Sequence, residues 1–452
     1  MRNHFLSLPI ALAACAATLS CRSAEGGNDA GTAITPFAAV ALADSLATHD
    51  LWPGFNPRST PVAIYDGTRT LLFRHPSPPG AFTPLAGHDS VWVHPGRDSS
   101  VSANTSTELG GVTTATLMPA SDSIPALRRA GILIHEAFHV FQRAHHRPWA
   151  ANEADLFTYP VSDGALLTLR RLESEALRRA LLAGTRSSAE CWAGTAINLR
   201  HERFARLPAG AAAYERGTEL NEGLATYVEW RATSAPDSNV LPVQEYAPEK
   251  IRDRGYRSGV ALARLLDRLS PEWRADLEAN DSIPLDSLLS AAVATQTGRP
   301  CEFTDTERDS IGQVATSDVA ALKDRLAADR RAFLDQQGWR LVIQAASPLF
   351  PQGFDPLNVS VVAPGEVLHS RLVKLGNDAG SVEVIGRASL SEAAGAHPLF
   401  NGVRTLTVTG LEAPPSITGA DGGLRVTADG ISGEFRGATA DTAGTVVTLH
   451  VP

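Results

Sequence analysis

Lysine is nearly missing from this sequence. It occurs only at Lys250, Lys323 and Lys374, and arginine supplies the rest of the 40 basic residues. The basic residues form no run and the net charge is −9, which sets aside nucleic acid and anionic lipid surfaces as partners. Methionine is confined to Met1 and Met118, so no site built downstream of residue 118 can use one. Cysteine is scarce: Cys15, Cys21, Cys191 and Cys301. No internal apolar run is long enough to cross a bilayer, and no internal repeat is visible. What remains is ordinary. With 452 residues, 43% of them hydrophobic and 20% charged, the chain can bury a sizeable core in two or three domains.

The N-terminus reads as an export signal. Arg2 supplies a short positive region, and Phe5 to Ala14 is apolar but too short to span a membrane. Leu12-Ala13-Ala14-Cys15 resembles a bacterial lipobox, in which the cysteine is acylated; Cys21, preceded by Leu19-Ser20, is the second candidate. Ser23 to Thr32 is small and polar, as a tether would be. The expected product is a lipoprotein held at the periplasmic face or cell surface by its anchor alone. A plain secretory signal is the other reading. If Cys21 is the anchor, Cys191 and Cys301 remain and can pair in an oxidising compartment; if Cys15 is, one cysteine is odd.

The expected architecture is α+β and multidomain. It comprises a signal over 1–21, a tether over 22–35, an α+β region over 36–120, a helical catalytic domain over 121–338 and a β-sandwich over 339–452. In the first region a helix over Phe37–Thr48 precedes short apolar runs at Val62–Tyr65, Thr70–Phe73, Ser90–Val93 and Val112–Met118, separated by Pro/Gly/Asp turns. Val112–Met118 is either an edge strand able to pair with an extended peptide or a core strand. Ser123 and Pro125 then mark a helix start, and Leu127, Ala130, Ile134, Phe138 and Phe141 recur at helical spacing. Further helices are expected near Asp163–Leu182, Ala189–Leu207, Ala211–Ala232, Tyr256–Leu269 and Asp318–Gln336. The last third alternates short Val/Ile/Leu/Thr runs with turn residues, as in Arg404–Thr409.

One motif carries chemistry. His135-Glu136-Ala137-Phe138-His139 is an H-E-x-x-H sequence on the helix after Pro125. Residues four apart share a helical face, so both imidazoles can reach one Zn²⁺, with Glu136 beside them as general base. Catalytic zinc takes a third protein ligand. His145 has the spacing of a metzincin third histidine, but Gln142 stands where that pattern needs the turning glycine. A helix that continues carries His145 about 15 Å along its axis from His135. The Met-turn of that family also has no methionine here. The other candidate is Glu222, in Leu220-Asn221-Glu222-Gly223-Leu224-Ala225-Thr226-Tyr227.

This second segment resembles the zinc-ligand helix of gluzincins related to aminopeptidase N. Tyr256-Arg257-Ser258-Gly259 is similar to that family's Tyr-x-x-Gly element, and the three motifs come in the family's order. The resemblance is of scattered motifs between His135 and Leu269. It implies zinc held by His135, His139 and Glu222, with Glu136 as base and Tyr256 as oxyanion donor. Two departures stand out. About eighty residues separate His139 from Glu222 where the family has about twenty, and the Gly-x-Met-Glu-Asn run that binds a free amino terminus is missing.

Tyr256 is otherwise an ordinary helix-start aromatic. Tyr227 and Trp230 read as core. Glu219 and Glu229 read as solvated residues on other faces, and Arg143, His145, His146 and Arg147 as a polar helix end. The expectation is a zinc metallopeptidase acting on a peptide or protein substrate. The alternatives are a hydrolase of a non-peptide amide or ester, and a non-catalytic surface lipoprotein whose sandwich is the working module. The presence of a base at Glu136 favours catalysis over a structural zinc.

Overall fold

The computed structural model describes residues 35–47, 50–119, 124–242, 245–294, 300–355, 358–393, 395–420 and 422–452. Cys15, Cys21, the tether up to residue 34 and Ser123 lie outside the described residues. The fold is α+β, with a small N-terminal sheet, a central helical stretch and a large C-terminal sheet. Two compact units form. One holds the residues up to Trp149 with Asn221–Pro236 and Pro271–Ile283; the other holds Ala150–Leu220, Asp237–Ser270 and Pro284–Pro452.

The described helices are α1 (Pro36–Leu46), α2 (Ala126–His145), α3 (Gly164–Leu182), α4 (Arg186–Phe204), α5 (Ala209–Thr218), α6 (Leu224–Thr233), α7 (Ile251–Leu269), α8 (Trp273–Ala279), α9 (Leu285–Ala294) and α10 (Asp305–Leu334). Local signals explain several boundaries. Asp163 caps α3 by accepting from the Ala165 and Leu166 amides, and Thr304 with Glu307 forms a capping box at α10. The helix expected over Ala211–Ala232 is instead three consecutive pieces: α5, a π-turn over Glu219–Gly223, and α6. The short α8 and α9 had no sequence expectation.

In the first unit, β1 (Val62–Tyr65), β2 (Arg69–Phe73), β3 (Thr83–Pro84), β4 (Val91–Pro95), β5 (Thr105–Leu109) and β6 (Val112–Leu117) form one sheet in the order β3-β4-β2-β1-β6-β5. The pairing of β1 with β6 is parallel and the rest are antiparallel. Of the two roles open to Val112–Met118, the strand takes the core one, because β6 is flanked by β1 and β5. The edge belongs to β5. Its sequence, Thr-Ser-Thr-Glu-Leu, is mostly polar and carries no apolar run to announce a strand. The hairpin turn does announce it: Gly110 and Gly111, at φ 58° and 80°, join Leu109 to its partner Val112. Two successive left-handed positions make the tight turn that matches strand twist.

Helix α2 packs against α1, α6, β5 and β6. Behind it lies an aromatic cluster. Trp52, fully buried, meets Phe138, Trp149, Tyr227 and Trp273 edge to face. These contacts tie α2, α6 and α8 to the segment after α1, and each aromatic pair adds about 1 kcal/mol beyond its buried area.

In the second unit, Cys191 on α4 is disulfide-bonded to Cys301. A buried ion cluster ties α3, α4, α5 and α7 together. Glu173 receives Arg200, Arg203 and Arg254 at 2.8, 2.7 and 2.8 Å. Glu215 pairs with Arg203 and Arg254, and Glu219 with Arg200 and the Ser258 hydroxyl. Burial alone would raise the Glu173 pKa, but the three guanidiniums hold it well below the usual carboxylate range. Glu219, read as solvated, is therefore a core ion-pair residue with 1% exposure. A carboxylate so deep needs such partners to remain charged.

The C-terminal residues form a twelve-stranded sheet. Its spine is the long strand Trp339–Phe354. The first part pairs with Val403–Leu411 and Val446–Val451, and the last part pairs with Leu372–Asn377. One apolar cluster, including Leu341, Val367, Leu406, Val382 and Phe435, serves both parts.

Candidate metal centre

Helix α2 continues through the H-E-x-x-H motif and beyond it to His145. Gln142 lets it continue, and the side chain of that same residue becomes part of the site. His135 and His139 face α6, which runs antiparallel to α2. Glu229 lies opposite Gly131 and His135, and Asn221 lies opposite Gln142. Gly131 is what lets the two helices approach. A Cβ there would stand 3.1 Å from Glu229 Cγ and 3.1 Å from Thr233 Cγ2.

The π-turn presents Glu222. A single π-turn inserts one residue into a helical run and re-aims the side chains around it, and such turns concentrate at functional sites. Here it brings the Glu222 carboxylate to both imidazoles. Glu222 Oε2 lies 3.5 Å from His135 Nε2 and 3.2 Å from His139 Nε2, and the two Nε2 atoms are 3.1 Å apart. Three donors tetrahedrally disposed at 2.0–2.1 Å from Zn²⁺ would be separated by about 3.3 Å. The observed edges bracket that value. Among the described residues, this is the one His/Cys/Asp/Glu group with metal-binding spacing.

The outer nitrogens of the two rings also have partners. His139 Nδ1 lies 2.7 Å from Gln142 Oε1, and Gln142 Nε2 donates to the Asn221 carbonyl at 2.9 Å. The second bond fixes which end of the amide faces the ring, so His139 Nδ1 donates to Gln142 and Nε2 is the nitrogen turned toward Glu222. His135 Nδ1 faces Glu229 Oε2 at 3.4 Å. Sequence reading placed Glu229 among solvated residues, and that is corrected. Seven residues make two helical turns, so Glu229 shares the face of Glu222 and its side chain is only 12% exposed. The missed signals were this two-turn spacing for Glu229 and the i+3 position of Gln142 after His139.

Electrostatics follow from the geometry. Burial would lower the His135 pKa, but Glu222, Glu229 and Glu136 reverse this and raise it to about 10. A metal ion taken up here must displace that proton. Glu136 is 6% exposed; burial pushes its carboxyl up, against the pull of His135 and His139. That is the direction a carboxylate needs if it is to accept a proton.

The remaining candidates fall elsewhere. His145 turns off the shared face. Its Nδ1 bonds to the Phe141 carbonyl at 3.0 Å and its ring stacks on Phe141. His146 is buried against Trp149, with Nε2 3.0 Å from Glu278 Oε1, so the expected polar helix end is partly an interior contact. Tyr227 and Trp230 are core residues. Tyr256 lies on α7 in the other unit, where Arg252 donates to its hydroxyl at 2.8 Å. No protein-family model, no curated protein and no solved structure matches this chain.

Proposed function

We propose that the chain is a zinc-dependent metallopeptidase of gluzincin type. The observation that carries the reading is the convergence of His135, His139 and Glu222 at tetrahedral-edge spacing, with both imidazoles held from behind. Two neutral imidazoles and one carboxylate are the donor set of a catalytic rather than a structural zinc site. Bound zinc would polarise the scissile carbonyl and acidify the attacking water. Glu136 accepts the proton from that water and returns it to the leaving amine. Burial keeps Glu136 from being fully solvated and raises its affinity for that proton. The free edge of β5, beside α2, offers main-chain groups to an extended substrate. By resemblance, Tyr256 is the oxyanion donor.

We extend the proposal to export and to the C-terminal region. The Cys191–Cys301 bond suits an oxidising compartment, in keeping with a lipidated N-terminus at Cys15 or Cys21. The single apolar cluster shared by both parts of the large sheet supports face-to-face packing as a β-sandwich.

The test is zinc content and turnover of a mixed peptide library by the wild type, Glu136→Gln and Tyr256→Phe. Glu136→Gln should keep zinc and lose nearly all turnover, because an amide cannot take the proton. Tyr256→Phe should keep zinc and lower kcat about a hundredfold with little change in KM. Full activity in Glu136→Gln would overturn the mechanism; a silent Tyr256→Phe would remove only the oxyanion assignment.

A further inference from the structure

Helix α2 carries one arginine close to the metal ligands in sequence, Arg143. Among the described residues, most arginines of this chain are engaged by a carboxylate or a carbonyl, as Arg74 is by Asp44 and Arg231 is by the Asp50 carbonyl. Arg143 is exposed, and no described carboxylate lies within ion-pair distance of it. Its position is specific. His135, His139 and Arg143 follow at four-residue steps, so Arg143 sits one turn, about 6 Å, beyond His139. In helical projection it falls between His139 and Glu136. Side chains on a helix lean toward its N-terminus, so the Arg143 side chain extends back over the turn that carries His139. Burial lowers its pKa, against the pull of Glu108, which lies on the edge strand β5, and of Glu136. The Glu108 carboxylate also accepts from the Thr113 hydroxyl.

An exposed fork one turn past a metal ligand, between the general base and the sheet edge, can bind an anionic part of whatever lies along that edge. Guanidinium recognises carboxylate through two parallel hydrogen bonds. A chain in extended conformation advances about 3.3 Å per residue, so the 6 Å offset corresponds to a group one or two residues from the scissile bond. We propose that Arg143 is a specificity-determining residue that binds a substrate carboxylate one or two positions from the bond that is cut. The substrate class is thus an acidic peptide, or a short peptide with a free C-terminus. This rests on the metallopeptidase reading above.

The test uses the full-length zinc-loaded protein and two matched sets of peptide hydroxamates. In one set an Asp or Glu is replaced by Asn or Gln; in the other the free C-terminus is replaced by its amide. Binding is measured by calorimetry in the wild type, Arg143→Ala and Arg143→Glu, together with zinc content. The wild type should prefer the carboxylate form of one set by about tenfold to a hundredfold, the range expected for a charge-assisted pair. The set that shows the preference identifies its source. Arg143→Ala should bring the ratio close to one, and Arg143→Glu should invert it, with zinc content unchanged in both. Equal affinities in the wild type for both sets, or a preference that survives Arg143→Ala, would overturn the assignment while leaving the metal centre standing. Failure of every hydroxamate to bind the zinc-loaded protein would overturn both readings. A wild type that binds hydroxamates and loses activity in Glu136→Gln, but shows no carboxylate preference, isolates the failure to Arg143.

Discussion

Gln142 offers the sharpest test of how the site is held. Its amide makes two bonds with opposite polarity: Oε1 accepts from His139 Nδ1 at 2.7 Å, and Nε2 donates to the Asn221 carbonyl at 2.9 Å, with the residue 2% exposed. Gln142→Ala removes both. Losing a partner behind a ligating histidine weakens metal binding by about tenfold to a hundredfold, equivalent to about 1.4 to 2.8 kcal/mol. The lost bond to Asn221, together with the space left by a buried side chain, should destabilise the fold by about 1–3 kcal/mol without metal. Gln142→Glu separates the two effects. A carboxylate still accepts from Nδ1, and more strongly, but cannot donate to the carbonyl. Zinc affinity, measured by competition with a chromophoric chelator, should fall in Gln142→Ala and be retained in Gln142→Glu. Stability of the zinc-free protein, measured by urea unfolding, should fall in both. Undiminished zinc affinity in Gln142→Ala would refute the outer-partner argument, whatever happened to stability.

The ligand set and one buried titration give two more expectations. Zinc stoichiometry should drop sharply in Glu222→Ala and hardly change in His145→Ala; the reverse order would sink the gluzincin assignment. His369 is fully buried, with Nε2 2.9 Å from Ser391 Oγ, and burial pushes its pKa from 6.5 down to about 4. Between those values the unfolded chain takes up a proton that the folded chain refuses, so stability is complete above pH 6.5 and falls as the pH drops toward 4. The loss should reach about 3 kcal/mol and be absent in His369→Gln, as read by urea midpoints at pH 7 and pH 4; parallel pH dependence in the two proteins would contradict it.

Sequence alone determined the elements whose cause is local. The 3.6-residue period and the H-E-x-x-H spacing are enough to put both histidines and Glu136 on adjoining faces of one helix. Gln142 in place of glycine is enough to keep that helix running past His139. The cap at Asp163 and the short apolar runs of β1, β2, β4 and β6, set between turn residues, are equally local signals. Tertiary structure decided everything that depends on what a face meets. The π-turn at Glu219–Gly223 has no signature in the local sequence. Glu219 and Glu229 are charged residues that sequence places in water, yet Glu219 is buried and Glu229 half-buried, each with a fitting partner opposite: Arg200 and Ser258 for one, the His135 imidazole for the other. Burial of a charge is a property of the pair. Whether Val112–Met118 was edge or core stayed open for a similar reason, since a strand's place in a sheet depends on its neighbours and not on its own residues. The eighty residues between His139 and Glu222 say nothing about their separation in space; α3, α4 and α5 fill that interval, and Glu222 still comes within 3.2 Å of His139.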